Sequence, residues 1–185
     1  MIKIIAFDLV GVLVTEKDIK LTKKECKLER MFGSNVNDSD YLMEARKIIK
    51  KDSIVMRRTE DLINKIYEIK DDNLFKKIKE KNNYLKIIIA TNHVSFVRNF
   101  IGESFGVDYL YDVLISAEIH KVKPNINFYN HILNKYSLKS SELLFLDDNI
   151  DNIKIANQIG IKTIKVDKDT DLYKTISEWL EKNDK

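Results

Sequence analysis

The chain predicts an α/β protein: a doubly wound parallel sheet carrying a small inserted α-helical subdomain. Three observations carry this. The run Ile4-Ile5-Ala6-Phe7 is short, apolar and bounded, as in a central strand covered on both faces. From residue 85 onward, apolar strands alternate with amphipathic helices, the pattern of consecutive βα units. About seventy residues separate the first strand from the next, far more than a βα crossover needs.

The first strand ends at Asp8, and Leu9-Val10-Gly11-Val12-Leu13-Val14 follows as a Gly-containing turn re-entering apolar sequence. Residues 15–83 show helical patterning. Tyr41, Leu42, Ala45, Ile48 and Ile49 share one face, and Thr59-Glu60-Asp61 reads as a helix start before Leu62, Ile63, Ile66 and Tyr67. Gly33-Ser34-Asn35-Val36-Asn37-Asp38 marks a break between helices. This assigns 1–14 and 84–185 to the core and 15–83 to a helical insertion. The remaining strands are Leu85–Ala90, Tyr111–Ile115, Leu143–Leu146 and Ile161–Val166. Helices follow Thr91-Asn92-His93, Pro124 and Asp147-Asp148-Asn149. The stripes Ile126, Tyr129, Ile132, Leu133, Tyr136 and Leu172, Ile176, Trp179, Leu180 read as core packing.

Composition narrows the function. With 44% apolar and 33% charged residues, the 185-residue chain supports a real core and a solvated surface. One cysteine, Cys26, allows no internal disulfide and points to a reducing, cytoplasmic setting. No run is long enough to span a bilayer. The net charge of +3 is small and its basic residues are interleaved with acids, so no nucleic-acid partner and no membrane partner are expected.

In open α/β sheets, ligands gather beyond the carboxyl ends of the strands. Asp8, Thr91-Asn92, Lys123 and Asp147-Asp148 all fall at or just past such ends. Together they offer carboxylates for a hard cation such as Mg²⁺, a hydroxyl beside backbone N–H groups, and an ammonium. A carboxylate can also attack phosphorus. Taken singly, each has an ordinary reading: Asp8 as a turn residue, Thr91 as a helix N-cap, Asp147-Asp148 as caps, and Lys123 as a surface lysine.

As a set they resemble the haloacid dehalogenase superfamily. Phe-Asp-Leu-Val-Gly-Val-Leu at 7–13 looks like its first motif, and Ala-Thr-Asn at 90–92 like its second. Ser116 through Lys123-Pro124-Asn125 is similar to the third, and Leu144 through Ile153 closely resembles the fourth, with Ala156 and Gly160-Ile161 fitting as well. The nearest likeness is to sugar-phosphate phosphatases and epoxide-hydrolase amino-terminal domains with a small helical cap. The resemblance implies a Rossmann-like core and a Mg²⁺-dependent phosphatase acting on a small phosphorylated metabolite. It makes Asp8 the nucleophile and a metal ligand. Asp148 is a second carboxylate ligand, with Asp147 beside it and the Val10 carbonyl a further metal ligand. Thr91 and Asn92 hold the phosphoryl oxygens, and Lys123 offsets charge between phosphate and nucleophile.

One departure stands out. The family's phosphatases carry a second aspartate two residues after the first, where this chain has Val10. A valine moves no proton, so roughly 10²–10⁴-fold of acid–base assistance is missing. The resemblance then implies slow turnover by an aspartyl-phosphate route. The alternative is a catalytically impaired protein that binds a phosphorylated ligand for regulation. Carbon–halogen hydrolysis is a third reading, weakened because family members doing it lack the paired acids present here. His93 is the nearest candidate substitute acid, while His120 occupies a place where the family usually has glycine.

Overall fold

The computed structural model describes residues 1–33, 37–106 and 108–183. Strand β1, Ile4–Phe7, is wholly buried. A tight turn leads to the short strand β2, Val14–Glu16, and then to helices α1, Lys23–Glu29, α2, Asp38–Arg46, and α3, Asp52–Ile66. The chain returns through β3, Tyr67–Ile69, and α4, Leu74–Lys81, to β4, Lys86–Thr91. Helix α5, Val97–Phe105, strand β5, Asp112–Ile115, the single turn α6, Ser116–Ile119, and helix α7, Ile126–Lys135, come next. Strand β6, Leu143–Asp147, helix α8, Ile150–Gln158, strand β7, Lys162–Lys165, and helix α9, Leu172–Asn183, complete the order.

Among the described residues the main sheet runs β5-β4-β1-β6-β7, with every pairing parallel. The alternation of side chains across a strand divides the core in two. Ile5, Phe7, Ile87, Ile89, Leu144 and Leu146 face one side, where α4, α5 and α9 pack. Ile4, Ala6, Ile88, Ala90, Leu143 and Phe145 face the other, against Phe128, Tyr129 and Ile132 of α7 and Ile153 and Ala156 of α8. The doubly wound expectation is met. The chain winds outward from β1 to β5 on one side and from β6 to β7 on the other. The order therefore reverses between β1 and β6, the position where open sheets place a ligand crevice.

Residues 15–83 are not helical throughout. Val14–Glu16 and Tyr67–Ile69 form an antiparallel two-stranded ribbon, Val14 opposite Ile69 and Glu16 opposite Tyr67. Three residues per strand are too few to display a period-two pattern in sequence. Helix α4 lies on the sheet, Phe75 packing 5.4 Å from Phe7 and 5.3 Å from Phe105 between ring centroids. Helices α2 and α3 rest on the loop before α5 and on α5 itself, at the carboxyl end of β4, while α1 packs on α3 through Glu25 and Lys65. Tyr41 meets Phe96 at 5.9 Å, the Ser95 N–H donates to Asp38 Oδ1 at 2.9 Å, and Asn99 Nδ2 donates to Glu60 Oε1 at 2.9 Å.

Thr59 does not start a helix, because α3 begins at Asp52 and runs through it. Its hydroxyl bonds back to the Val55 carbonyl at 2.8 Å, the mid-helix alternative to capping, and meets the Tyr41 hydroxyl at 2.6 Å. Helix α2 starts after Asn37, whose side chain caps Asp40 N; Ser34, Asn35 and Val36 of the expected break lie outside the described residues. No helix among the described residues is long and apolar enough to cross a membrane.

Candidate active site

Asp8 follows β1 directly, and its N–H donates to the Leu146 carbonyl at 2.9 Å, which fixes it beside the end of β6. Asp147 is the last residue of β6 and Asp148 the next. Oxygen atoms of Asp8, Asp147 and Asp148 lie within 4.8 Å of one another. The sheet has thus brought together carboxylates about 140 positions apart, which follows from β1 pairing with β6 in register, Phe7 opposite Leu146.

Lys123 joins this cluster. Its Nζ lies 2.9 Å from Asp8 Oδ1 and 2.7 Å from Asp147 Oδ2, with the side chain 1% exposed. It is no surface lysine. The amine also sits over the Phe145 ring, 5.4 Å from its centroid. Asp147 is fully buried and its oxygens are heavily engaged. Asn149 N donates to Oδ1 at 2.8 Å, and Asn152 Nδ2 donates to Oδ1 at 2.9 Å and to Oδ2 at 3.0 Å. Asp147 therefore anchors Lys123 and the start of α8. The α8 N-cap is Asn149 rather than either aspartate.

The electrostatics follow from burial. Desolvation pushes the Asp8 carboxyl up to about 6; Lys123 pulls it down and Asp147 adds to the rise. Burial acts against the Lys123 ammonium too, but Asp8 and Asp147 outweigh it and hold its pKa above the ordinary value. Asp148 is raised by burial and by Asp147, although it faces solvent.

Thr91 is buried as the last residue of β4, and it does not cap α5, whose preceding residue is Phe96. The Asn92 side chain turns to the third loop, donating to the Lys123 carbonyl at 2.8 Å and accepting from the Lys123 N–H at 2.9 Å. Its side chain thereby locks the lysine's backbone.

His93 is withdrawn from the site. Its Nδ1 faces the Val94 carbonyl at 3.1 Å, which can only accept, so Nδ1 carries the proton and Nε2 accepts from the Tyr67 hydroxyl at 2.9 Å. Burial pulls its pKa down to about 4. A neutral imidazole with both nitrogens occupied is no substitute acid.

Val10 is half-buried in the turn of residues 9–14, packed against the core and bridged to Val14. The next residue, Gly11, has φ +84, and a Cβ there would stand 2.3 Å from Asp148 Oδ2. Glycine is needed both for that backbone conformation and for the close approach of Asp148. His120 takes the left-handed conformation, φ 51, that explains the glycine preference at its place.

Three participants gave no separate signal in the sequence. Asn152 is buried and turned to Asp147. Lys70 reaches from the end of the ribbon to donate to the Gly11 carbonyl at 2.6 Å. Tyr67 fixes His93. The Lys70 and Tyr67 contacts join segments distant along the chain, whereas Asn152 meets Asp147 across the turn between β6 and α8.

The donors in the cluster are all hard carboxylate oxygens, with no thiolate or imidazole among them, and this set suits a hard divalent cation such as Mg²⁺.

Comparison with known proteins agrees with this fold. A family model described as haloacid dehalogenase-like hydrolase matches residues 2–160. The fold is similar to that of a predicted HAD-like family hydrolase from Porphyromonas gingivalis, with TM-score 0.76, 19% identity, and coverage of 99% of this chain and 100% of that one. It is also similar to a HAD family enzyme from Bacteroides thetaiotaomicron in complex with magnesium and inorganic phosphate, with TM-score 0.70, 17% identity, and coverage of 95% and 99%. A predicted phosphoglycolate phosphatase from Haemophilus somnus gives TM-score 0.60 at 17% identity over 91% of this chain and 88% of that one. A curated relative, mouse acyl-CoA dehydrogenase family member 10, is 35% identical over 71 residues, 38% of this chain and only 7% of that protein. With the family model spanning 2–160, the chain belongs to the haloacid dehalogenase-like hydrolases.

Proposed function

We propose that this hydrolase is a Mg²⁺-dependent phosphatase that takes a small phosphorylated metabolite through an aspartyl-phosphate at Asp8. The observation that carries the reading is the Asp8 carboxylate, held between Lys123 at 2.9 Å and the Asp148 carboxylate within the 4.8 Å cluster. The magnesium and phosphate bound by the Bacteroides enzyme of the same fold support it.

In this scheme Asp8, Asp148 and the Val10 carbonyl hold Mg²⁺, with Asp147 behind them. When bound, the ion supplies charge neutralisation for a phosphate dianion beside an anionic nucleophile. Lys123 shares that task from the other side, and Asp147 with Asn152 keeps it aimed. The hydroxyl of Thr91 and the backbone N–H of Asn92 hold phosphoryl oxygens. An Asp8 oxygen forms the new bond to phosphorus as the bond to the leaving oxygen breaks. Water then cleaves the acyl phosphate and restores the carboxylate.

Val10 decides the rate. The leaving oxygen departs without a proton from position 10, so substrates with acidic leaving groups suffer least. The hydrolytic step also lacks a base there, so phospho-Asp8 accumulates. Helices α1–α3, within the 15–83 insertion, act as the cap that excludes water over this edge of the sheet. A cytoplasmic setting completes the proposal.

The test is phosphate release from a panel of phosphorylated metabolites, with and without Mg²⁺, beside Asp8→Asn. Turnover that needs both Mg²⁺ and Asp8 supports the reading; turnover unchanged in Asp8→Asn ends it. Val10 also favours a second reading, a regulatory protein that binds a phosphorylated ligand without turnover. Val10→Asp separates the two. On the enzymatic reading it raises phosphate release by roughly 10²–10⁴-fold, whereas an inert variant with ligand binding intact favours the regulatory one.

A further inference from the structure

Beside the carboxylate cluster, a cavity of about 280 Å³ opens between the β2–β3 ribbon and the segment that follows β7. Gly11 and Asp148 form part of its wall, so it adjoins the proposed reaction centre; Thr15, Lys70, Lys165 and Lys168 supply most of the rest. At about 30 Å³ per liquid water, the space holds several waters or one small anionic group. Nothing in the chemistry above employs its three lysines.

Their engagements differ. Lys165 is committed to Asp167 and to the Val166 carbonyl at 3.1 Å. Lys70 is fixed to the catalytic turn twice, its N–H on the Leu13 carbonyl at 3.0 Å and its Nζ on the Gly11 carbonyl at 2.6 Å. One carbonyl satisfies one of three ammonium protons. Burial also pulls the Lys70 pKa down, and the attraction of Asp148 and Asp169 does not restore it. The exposed Lys168 makes no hydrogen bond or ion pair among the described residues. Two donors therefore border the cavity with capacity left over. Of the acids nearby, Asp167, itself part of the wall, is taken by Lys165, Asp148 belongs to the carboxylate cluster, and Asp169 attracts Lys70 without a hydrogen bond to it.

We infer that this cavity is a subsite for a second anionic group of the substrate, a carboxylate or second phosphate on the molecule that carries the transferred phosphoryl group. Lys70 and Lys168 are its donors. The inference rests on the phosphatase reading and narrows its substrate class to phosphorylated acids and bisphosphates. Lys70 acts here by charge and hydrogen bonding. Its anchorage on Gly11 makes it a rigid donor, whereas Lys168 on its loop adjusts to the length of the ligand.

The test is calorimetric binding in the presence of Mg²⁺. Methylphosphonate, which presents only the first group, is compared with phosphonoacetate and 3-phosphonopropionate, which add a carboxylate at two spacings. Methylenebisphosphonate distinguishes a second phosphate from a carboxylate. The wild-type protein is expected to prefer at least one two-group ligand by about tenfold or more, the worth of one charge-assisted hydrogen bond. In Lys70→Met the preference, expressed as the ratio of dissociation constants, falls toward one. Lys168→Ala, on an exposed loop, gives a smaller fall in the same ratio and stands as the test if Lys70→Met does not fold. Equal affinity of the wild type for one-group and two-group ligands overturns the subsite and leaves the phosphatase reading standing. So does a preference that survives both substitutions. If no phosphonate binds at all, the subsite and the phosphatase reading fall together.

Discussion

Replacing Lys123 by methionine removes a cation while keeping most of the side chain's volume. In the wild type that ammonium is 1% exposed and lies within 2.9 Å of Asp8 and 2.7 Å of Asp147, itself wholly buried. Removing one partner of a buried pair typically costs about 3–5 kcal/mol, because the remaining charge stays buried and uncompensated. For a chain of this size, that corresponds to a melting temperature lowered by roughly 6–20 °C. The pH dependence gives a sharper check. The folded-state pKa of Asp8, about 6, is above its ordinary 3.8, so its ionisation opposes folding, with a penalty absent below pH 3.8 and complete above about 6. Without Lys123 the pKa climbs further, so the mutant's deficit should be larger at pH 8 than at pH 5. Added Mg²⁺ should recover part of it by supplying the missing positive charge. Scanning calorimetry at the two pH values, with and without Mg²⁺, measures all three effects. Lys81→Met is the control. Its contact with Glu181 is just as short, 2.6 Å, but both side chains are well exposed, so its melting temperature should barely move. A Lys123→Met protein melting within about 2 °C of the wild type at pH 8 without Mg²⁺ refutes the reasoning, since the smallest expected fall is about 6 °C.

Three further outcomes follow from the same geometry. Gly11→Ala places a Cβ 2.3 Å from Asp148 Oδ2 at φ +84; it should cost at least about 1 kcal/mol and, more tellingly, abolish the thermal stabilisation by Mg²⁺. Since Asp8 must be deprotonated to hold a cation, the apparent Mg²⁺ affinity should fall about tenfold per pH unit well below pH 6, measured by calorimetric titration. His93 is held neutral with a folded-state pKa of about 4 against an ordinary 6.5, so its contribution to stability is complete above pH 6.5 and is lost as pH falls toward 4, a loss of order 3 kcal/mol. His93→Gln should flatten that part of the stability–pH profile, seen as a melting-temperature difference from the wild type that narrows between pH 7 and pH 4.5.

The amino-acid sequence by itself determined the sheet and the composition of the polar set at its edge. Four-residue apolar runs such as Ile4–Phe7 are legible because burial on both faces leaves no polar position in them. Asp8 and Asp147-Asp148 could be read as one group because parallel strands share an edge, whereas Lys123, eight residues past β5, was drawn in by its place before Pro124 in the motif the chain resembles. The absence of a proton donor at Val10 was legible only through the family resemblance, which places an aspartate there. The ribbon Val14–Glu16 with Tyr67–Ile69 was not legible, because three-residue strands are stabilised by pairing rather than by pattern. Nor was Thr59, whose hydroxyl found the Val55 carbonyl and Tyr41 in place of a cap.

Only the tertiary structure decided how the polar groups are employed. It turned Asp147 toward Lys123 and Asn152, drew His93 onto Tyr67, and set Lys70 against Gly11. The reason is physical: hydrophobic periodicity reports burial along one segment, whereas a charge is stabilised by whatever partner the packing of distant segments delivers. Sequence thus supplied the polar groups, and the meeting of β1 with β6 and of the ribbon with the turn of residues 9–14 gave each of them its neighbour.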